Sequence, residues 1–147
     1  QEIALEHLQE ALLIKSKRYG HQSLEVAGIY NNIGLVYGQS QPSLALENYL
    51  KAEAIYKNHT TKKSLKAWAY TLTNQALLYT HASIADLNKA LDLWDKILQI
   101  QVRLYDPQST PIAYTRLNIA AVFTKRGSFA KAIDQLELAE PIYRQTY

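Results

Sequence analysis

Three similar octets decide the fold: YNNIGLVY at residues 30–37, LTNQALLY at 72–79 and RLNIAAVF at 116–123. Each octet has an Asn at its third position, a small residue at its fifth and an aromatic residue at its eighth. The three Asn residues, Asn32, Asn74 and Asn118, lie 42 and 44 residues apart. Self-similarity at a period of this size is typical of supersecondary units that stack into an array. The octets therefore predict a repeat protein.

Composition favours a single α-helical domain. The chain has 147 residues, of which 48% are hydrophobic, and this is enough for one sizeable core. Five Gly and four Pro are too few for a turn-rich β fold. The chain has no Cys, which excludes disulfides and thiol catalysis. It starts in helical pattern without an initiator Met, so we interpret it as a fragment of a longer array.

Apolar residues at helical spacing predict seven helices, separated by polar, Gly-containing or Pro-containing links. Their predicted bounds are about 2–18, 24–38, 43–58, 63–81, 86–105, 110–126 and 129 to the end. Ser23 is the expected cap of the second helix, and Pro141 is expected to interrupt the last one. The predicted organisation is an unpaired outer helix at 1–20 and helix pairs at 21–58, 59–105 and 106–147. We name the first helix of each pair inner and the second outer.

The octets, together with Gly127, Phe129, Ala132 and Leu136 after the third one, resemble the tetratricopeptide repeat (TPR). The period of 42 to 44 exceeds the usual 34 of that family and looks like the kinesin light chain subtype. The resemblance implies an all-α, right-handed superhelix, an α-solenoid of about seven antiparallel helices. Two residues depart from the pattern, because Gln75 and Arg116 stand where packing residues are usual.

The small residues of the octets have a packing role. Helices are expected to approach closely at Gly34, Ala76 and Ala120, where a larger side chain would force them apart.

The octet Asn residues lie on a stripe of each inner helix that we expect to face a concave groove. Asn can donate and accept hydrogen bonds, so it can bind a peptide backbone whatever the ligand's side chains are. In proteins that the chain resembles, the equivalent Asn often holds an extended peptide. An alternative interpretation is that these Asn residues cap or bridge neighbouring helices. The residues predicted to bind peptide are Asn32, Gln39, Tyr70, Asn74, His81, Tyr114, Asn118 and Lys125.

The charges favour an acidic ligand. The inner helices, with Lys62 at the entry of the second, carry six of the 16 basic residues but only one of the 13 acidic ones, Glu25. The six are Lys62, Lys63, Lys66, Arg116, Lys125 and Arg126. A groove of positive potential would prefer acidic or phosphorylated peptides. Alternatively, Lys62, Lys63 and Arg126 only occupy solvated helix ends.

No pattern indicates catalysis. The four His residues lack the spacing of metal ligands, and no phosphate loop or nucleophile motif occurs. We therefore expect a non-catalytic module without cofactor or metal, which binds a protein or peptide and neither nucleic acid nor a membrane. No signal peptide or membrane-spanning run is present, so we expect a cytoplasmic protein.

Two further hypotheses remain open. In one, the chain is a peptide-sensing region of a bacterial signalling protein that gates an attached effector domain. In the other, it self-associates through the ends of the array, where the stripe from Ile3 to Ile14 is exposed. The leading hypothesis is an adaptor or cargo-type scaffold.

Overall fold

The computed structural model describes residues 1–146, which form seven α-helices and no strand. The helices are α1 Glu2–Tyr19, α2 Leu24–Tyr37, α3 Pro42–Tyr56, α4 Lys62–His81, α5 Leu87–Leu104, α6 Thr110–Lys125 and α7 Phe129–Thr146. The all-α prediction is confirmed, and the predicted helix bounds agree to within two residues. Tyr147, with which the third predicted pair ends, lies outside the described residues.

The chain divides into two compact units. Unit 1 is Gln1–Ala85 and contains α1 to α4, whereas unit 2 begins at Asp86 and contains α5 to α7. In unit 1, α2 packs on α1, α3 and α4, and α3 also packs on α4. In unit 2, α6 packs on both α5 and α7. Helices that pack on their neighbours in chain order are the architecture of an α-solenoid.

Side chains at the ends of the helices explain where several helices start. The hydroxyl of Ser23 accepts a hydrogen bond from the Val26 amide at 3.4 Å, which confirms the predicted cap of α2. Thr61 caps α4 in the same way, and the Asp86 carboxylate caps α5. These oxygens satisfy amides that have no partner within the helix. The backbone amides of α5, that of Lys89 first, lower the pKa of Asp86, because they stabilise its charged form.

Pro141 does not interrupt the last helix, contrary to the prediction, because α7 continues through it. Pro lacks the amide that would bond the carbonyl of Glu137, but Pro141 is exposed, so water can solvate that carbonyl. Packing on both sides of the proline holds the helix. Ala139 and Ile142 are 0% and 3% exposed and belong to one apolar cluster with Ala113 of α6.

The core of unit 1 joins α2 and α3 through small and bulky side chains. Val26 and Ala27 of α2 cluster with Ala52, Ile55 and Tyr56 of α3, and all are at most 5% exposed. Leu12 of α1 and Trp68 of α4 pack on the edge of this cluster. The same core therefore contains side chains from all four helices of unit 1.

Close approach at the small octet residues is also confirmed. Ala76 is 0% and Ala120 2% exposed. At Gly34, a Cβ atom would lie 2.4 Å from Cε1 of Tyr49 on α3, so only Gly fits there without movement of the ring. Tyr49 in turn clusters with Ala45, Leu78 and Ala82. Gly34 thus lets an α3 aromatic ring fill the space between α2 and α4.

We predict that Gly34→Ala destabilises the protein, by about 1–3 kcal/mol, because the added methyl overpacks the buried Tyr49 ring. Gly28→Ala on the same helix is the matched control. Its Cβ would lie at an ordinary 3.8 Å from the Tyr56 hydroxyl, so helix propensity should stabilise it by about 0.5–1 kcal/mol. Urea denaturation measures both changes. Equal stabilisation by the two substitutions would contradict the close approach.

Candidate functional site

One face of α4 carries most of the predicted peptide-binding residues of unit 1. Lys62, Lys66, Tyr70 and Asn74 follow one another at intervals of four residues, and His81 comes seven after Asn74. Tyr70 is 53% exposed; both Lys residues and His81 are also exposed, and Asn74 is half-buried. We call these five residues the α4 stripe. It presents cations, an aromatic ring and a carboxamide on an accessible face.

The predicted residues of α2 are accessible as well. Asn32 on α2 and Gln39, two residues after the end of α2, are both exposed. Leu35, three residues after Asn32 on the same face, is exposed too, and we call these three residues the α2 stripe. Because α2 packs directly on α4, the two stripes belong to neighbouring helices of unit 1.

The remaining predicted residues lie on α6 in unit 2 and form the α6 stripe. Tyr114 is 45% exposed, Lys125 is exposed and Asn118 is half-buried. The eight predicted residues therefore divide into five in unit 1 and three in unit 2. Their role in binding a ligand stays a prediction.

A buried hydrogen-bond network holds the carboxamide of Asn74. Its Nδ2 donates to Oδ1 of Asn31 on α2 at 3.2 Å. The same Asn31 oxygen lies 3.1 Å from the hydroxyl of Thr71, which can donate to it. Asn31 is 6% exposed and Thr71 is 0% exposed. We call Asn31, Thr71 and Asn74 the amide triad; it bridges α2 and α4, as the alternative interpretation of the octet Asn residues proposed.

Sequence reasoning missed Asn31, which precedes the predicted Asn32. A signal was present, because Asn31 lies four residues after Ala27 and three before Gly34, on the face of α2 that carries small residues. Both neighbours are buried. A polar residue on such a face requires a partner, and Thr71 and Asn74 provide it.

Asn118 has a different environment, although it has the same position in its octet. Its Nδ2 donates to the Tyr114 carbonyl of its own helix at 2.9 Å. Thr115, the counterpart of Thr71, is 0% exposed and donates to Oε1 of Gln101 on α5 at 2.7 Å. In unit 2 the buried polar bond thus joins an inner helix to an outer one.

The two residues that depart from the repeat pattern both have polar partners. Gln75 is 2% exposed, and its Nε2 donates to the Glu53 carboxylate of α3 at 2.9 Å. Arg116 donates to Gln135 of α7 at 3.1 Å. Each polar group replaces the expected apolar contact by a bond between adjacent helices.

Arg116, one of the six basic residues of the inner helices, lies beside acidic residues of α5. Arg116 lines a cleft of about 310 Å³ together with Asp92 and Asp95 of α5. Arg116 is not one of the α6 stripe residues, and its neighbours in this cleft include two carboxylates. In unit 1, Lys63 similarly shares a cleft of about 120 Å³ with Glu25. Of the six basic residues of the inner helices, Lys62, Lys66 and Lys125 belong to the stripes.

A neutral phenol lies next to the α4 stripe. Burial, and to a smaller extent the neighbouring Tyr70, raise the pKa of Tyr49 to about 12. Tyr49 therefore remains uncharged at neutral pH.

The residues that the structure describes contain no cluster of three His, Cys, Asp or Glu side chains suited to a metal ion. None of the helices in this part of the chain combines the length and apolar character needed to span a bilayer.

Comparison with protein families decides the identity of the repeat. A model of the tetratricopeptide repeat matches residues 2–58 and 67–145. The chain belongs to the tetratricopeptide repeat family. The family predicted from the octets is confirmed, and TPR repeats generally mediate interactions between proteins.

Solved structures show the same TPR fold. BtubC (BKLC) from P. vanneervenii matches with a TM-score of 0.80 and 24% identity, over 96% of this chain and 56% of that one. A candidate kinesin light chain from Podospora anserina, with nearly identical TPR-like repeats, matches with a TM-score of 0.68 and 16% identity, over 99% of this chain and 68% of that one. The chain thus spans little more than half of BtubC. A comparison with curated protein sequences finds no significant match.

We predict that Asn31→Ala destabilises this TPR protein by about 1–3 kcal/mol, because Thr71 and Asn74 lose a buried acceptor. The adjacent Asn32→Ala removes an exposed carboxamide from the same helix and should change stability by less than about 0.5 kcal/mol. Thermal and urea unfolding compare the two. Equal effects would show that the amide triad does not stabilise unit 1.

Proposed function

We propose that this chain is a non-catalytic adaptor module that binds an extended peptide of a partner protein along the α2 and α4 stripes. The observation that carries the proposal is the Asn74 carboxamide. It lies on an accessible face between Tyr70 and His81, and its orientation is held by Asn31. The TPR family and its general role in protein interaction support the same conclusion.

The hydrogen-bonding capacity of Asn74 suits a peptide backbone. A carboxamide has two N–H donors and an oxygen with two lone pairs. One donor is used by Asn31, which leaves one N–H and the oxygen. An extended peptide offers a carbonyl and an amide in alternation, so both remaining groups of Asn74 find a partner whatever the peptide's side chains are.

Apolar surface beside the carboxamide supplies a second component of affinity. Tyr70 on α4 and Leu35 on α2 are 53% and 43% exposed. Tyr offers a large contact area at low cost in side-chain entropy. A peptide with an apolar residue next to its backbone contact would remove part of this area from water.

Lysine residues at the start of α4 favour an acidic ligand. Lys66 and Lys62 lie one and two turns before Tyr70 on the same face. Lys62 lies in the first turn, where a cation opposes the positive end of the helix dipole at a cost of about 0.3–1 kcal/mol, and Lys66 follows one turn later. An acidic peptide side chain next to them would offset this cost and would be attracted by both charges.

We predict that removal of the octet carboxamides weakens peptide binding. Each lost backbone hydrogen bond should cost about 1 kcal/mol, or about fivefold in Kd. An array of acidic 12-residue peptides is screened with wild type and with Asn32→Ala/Asn74→Ala, and the Kd of the tightest peptide is measured by fluorescence polarisation. The control, Asn58→Ala/Asn88→Ala, removes two exposed carboxamides outside the stripes. Equal binding by wild type and Asn32→Ala/Asn74→Ala would show that the peptide binds elsewhere on the protein.

We also predict that affinity falls as salt is added, because exposed charges are screened at separations beyond about 10 Å at 0.1 M salt. Lys62→Gln/Lys66→Gln should weaken binding at low salt and flatten this dependence. Lys17→Gln/Lys57→Gln removes the same charge near the ends of α1 and α3 and should leave both unchanged. An affinity of the wild type that is independent of salt would rule out the acidic ligand.

A further inference from the structure

We infer that Asn31 is a positioning residue, which orients the Asn74 carboxamide so that Oδ1 of Asn74 accepts a hydrogen bond from a backbone N–H of the bound peptide. The inference rests on the proposed function, since it concerns the same site. It assigns a role in ligand recognition to a residue that is itself 6% exposed.

The chemistry of Thr71 limits the triad to two arrangements. Its hydroxyl has one hydrogen, and Oγ1 lies 3.1 Å from both the Ala67 carbonyl and Oδ1 of Asn31. If Thr71 donates to Asn31, Asn31 presents its oxygen and Asn74 must present N–H, as in the structure. If Thr71 donates to Ala67, Asn31 must present N–H to the Thr71 oxygen, and Asn74 must then present its oxygen to Asn31.

The two arrangements leave different groups of Asn74 for a ligand. In the first, Oδ1 of Asn74 and one N–H are available. In the second, both N–H groups are available, whereas the oxygen already accepts from Asn31. The orientation of the buried Asn31 carboxamide therefore decides whether Asn74 acts mainly as an acceptor or as a donor toward a peptide.

Burial keeps these states discrete. Thr71 is 0% exposed, so water has little access with which to satisfy a mismatched pair, and an unsatisfied buried group is costly. The hydrogen bond from the Thr71 hydroxyl to the Ala67 carbonyl is dispensable, because a helix carbonyl such as that of Ala67 already accepts a hydrogen bond from a backbone N–H of its own helix. In the first arrangement, Oδ1 of Asn31 accepts from both Thr71 and Asn74, as the structure has it. We therefore assign the first arrangement, with Oδ1 of Asn74 toward the ligand.

Unit 2 offers an internal contrast. Asn118 bonds the Tyr114 carbonyl of its own helix, and Leu117 stands at the octet position that Asn31 has in the first octet. Because Asn118 donates to this carbonyl, its side-chain oxygen must point elsewhere. No side chain of a second helix is needed to orient the Asn118 carboxamide. Dependence on a neighbouring amide is thus a property of Asn74.

Backbone esters test the inference, because an ester replaces one peptide N–H by oxygen and leaves the side chains unchanged. The probe is the tightest acidic 12-residue peptide from the array above, made as a series with one ester at each position. In wild type, we expect one ester to weaken binding by about fivefold, the loss of one hydrogen bond. In Asn74→Ala, the ester and amide peptides should bind alike.

Variants of Asn31 provide the decisive comparison. Asn31→Ala should reduce the ester penalty to less than about twofold, because Asn74 can then rotate. Asn31→Asp can only accept hydrogen bonds, so it imposes the first arrangement and should retain the full penalty. Asn58→Ala, which removes an exposed carboxamide outside the stripes, should also retain it. Thermal unfolding checks that each variant is folded. If an Asn31 variant does not fold, Thr71→Val replaces it, because this substitution removes the hydroxyl but keeps the shape of the side chain. Thr71→Val should also reduce the ester penalty.

The outcomes separate the two claims. An ester penalty that is lost in Asn74→Ala but intact in Asn31→Ala, or in Thr71→Val where that variant replaces it, overturns the positioning role and leaves the proposed function standing. Binding without any ester penalty, or a penalty unaffected by Asn74→Ala, overturns the peptide contact of Asn74 and the positioning role with it.

Discussion

The packing of unit 1 depends on the close approach of α2 and α3 at Gly34. The absence of a side chain there admits the Tyr49 ring, which also clusters with Leu78 of α4 and with Ala82, the residue that follows α4. One aromatic side chain therefore sets the spacing of three helices. Because a packed core resists changes in volume, this contact determines how closely α4 lies beside α2. The amide triad then forms across that α2–α4 contact.

Polar bonds between helices complement this apolar packing. Asn31 with Thr71, Gln75 with Glu53, and Thr115 with Gln101 each join side chains from two adjacent helices. A buried polar pair contributes little net free energy, yet a mismatched one is costly, so such pairs favour one register of the helices over others. In unit 1 one of these pairs extends to the surface through Asn74. The bond that aligns the helices therefore also orients the group proposed to bind a peptide.

Most of the fold could be predicted from the sequence because it depends on local patterns. The octets predicted the family, the spacing of apolar residues predicted the helices, and Ser23 predicted the start of α2, and all three predictions are confirmed. Asn31 and Arg116 were harder, because their roles depend on side chains of other helices, up to 43 residues away in the Asn31–Asn74 bond. Pro141 was misjudged because local propensity favoured a break, whereas packing of Ala139 and Ile142 holds the helix.

NMR titration of the isotope-labelled protein with an acidic 12-residue peptide tests most directly whether the α2 and α4 stripes contact the ligand. The largest shift changes should occur at the side-chain amides of Asn32 and Asn74 and at the backbone amide of Tyr70. Changes confined to the outer helices α1, α3, α5 and α7, with the Asn74 side-chain amide unaffected, would contradict the account.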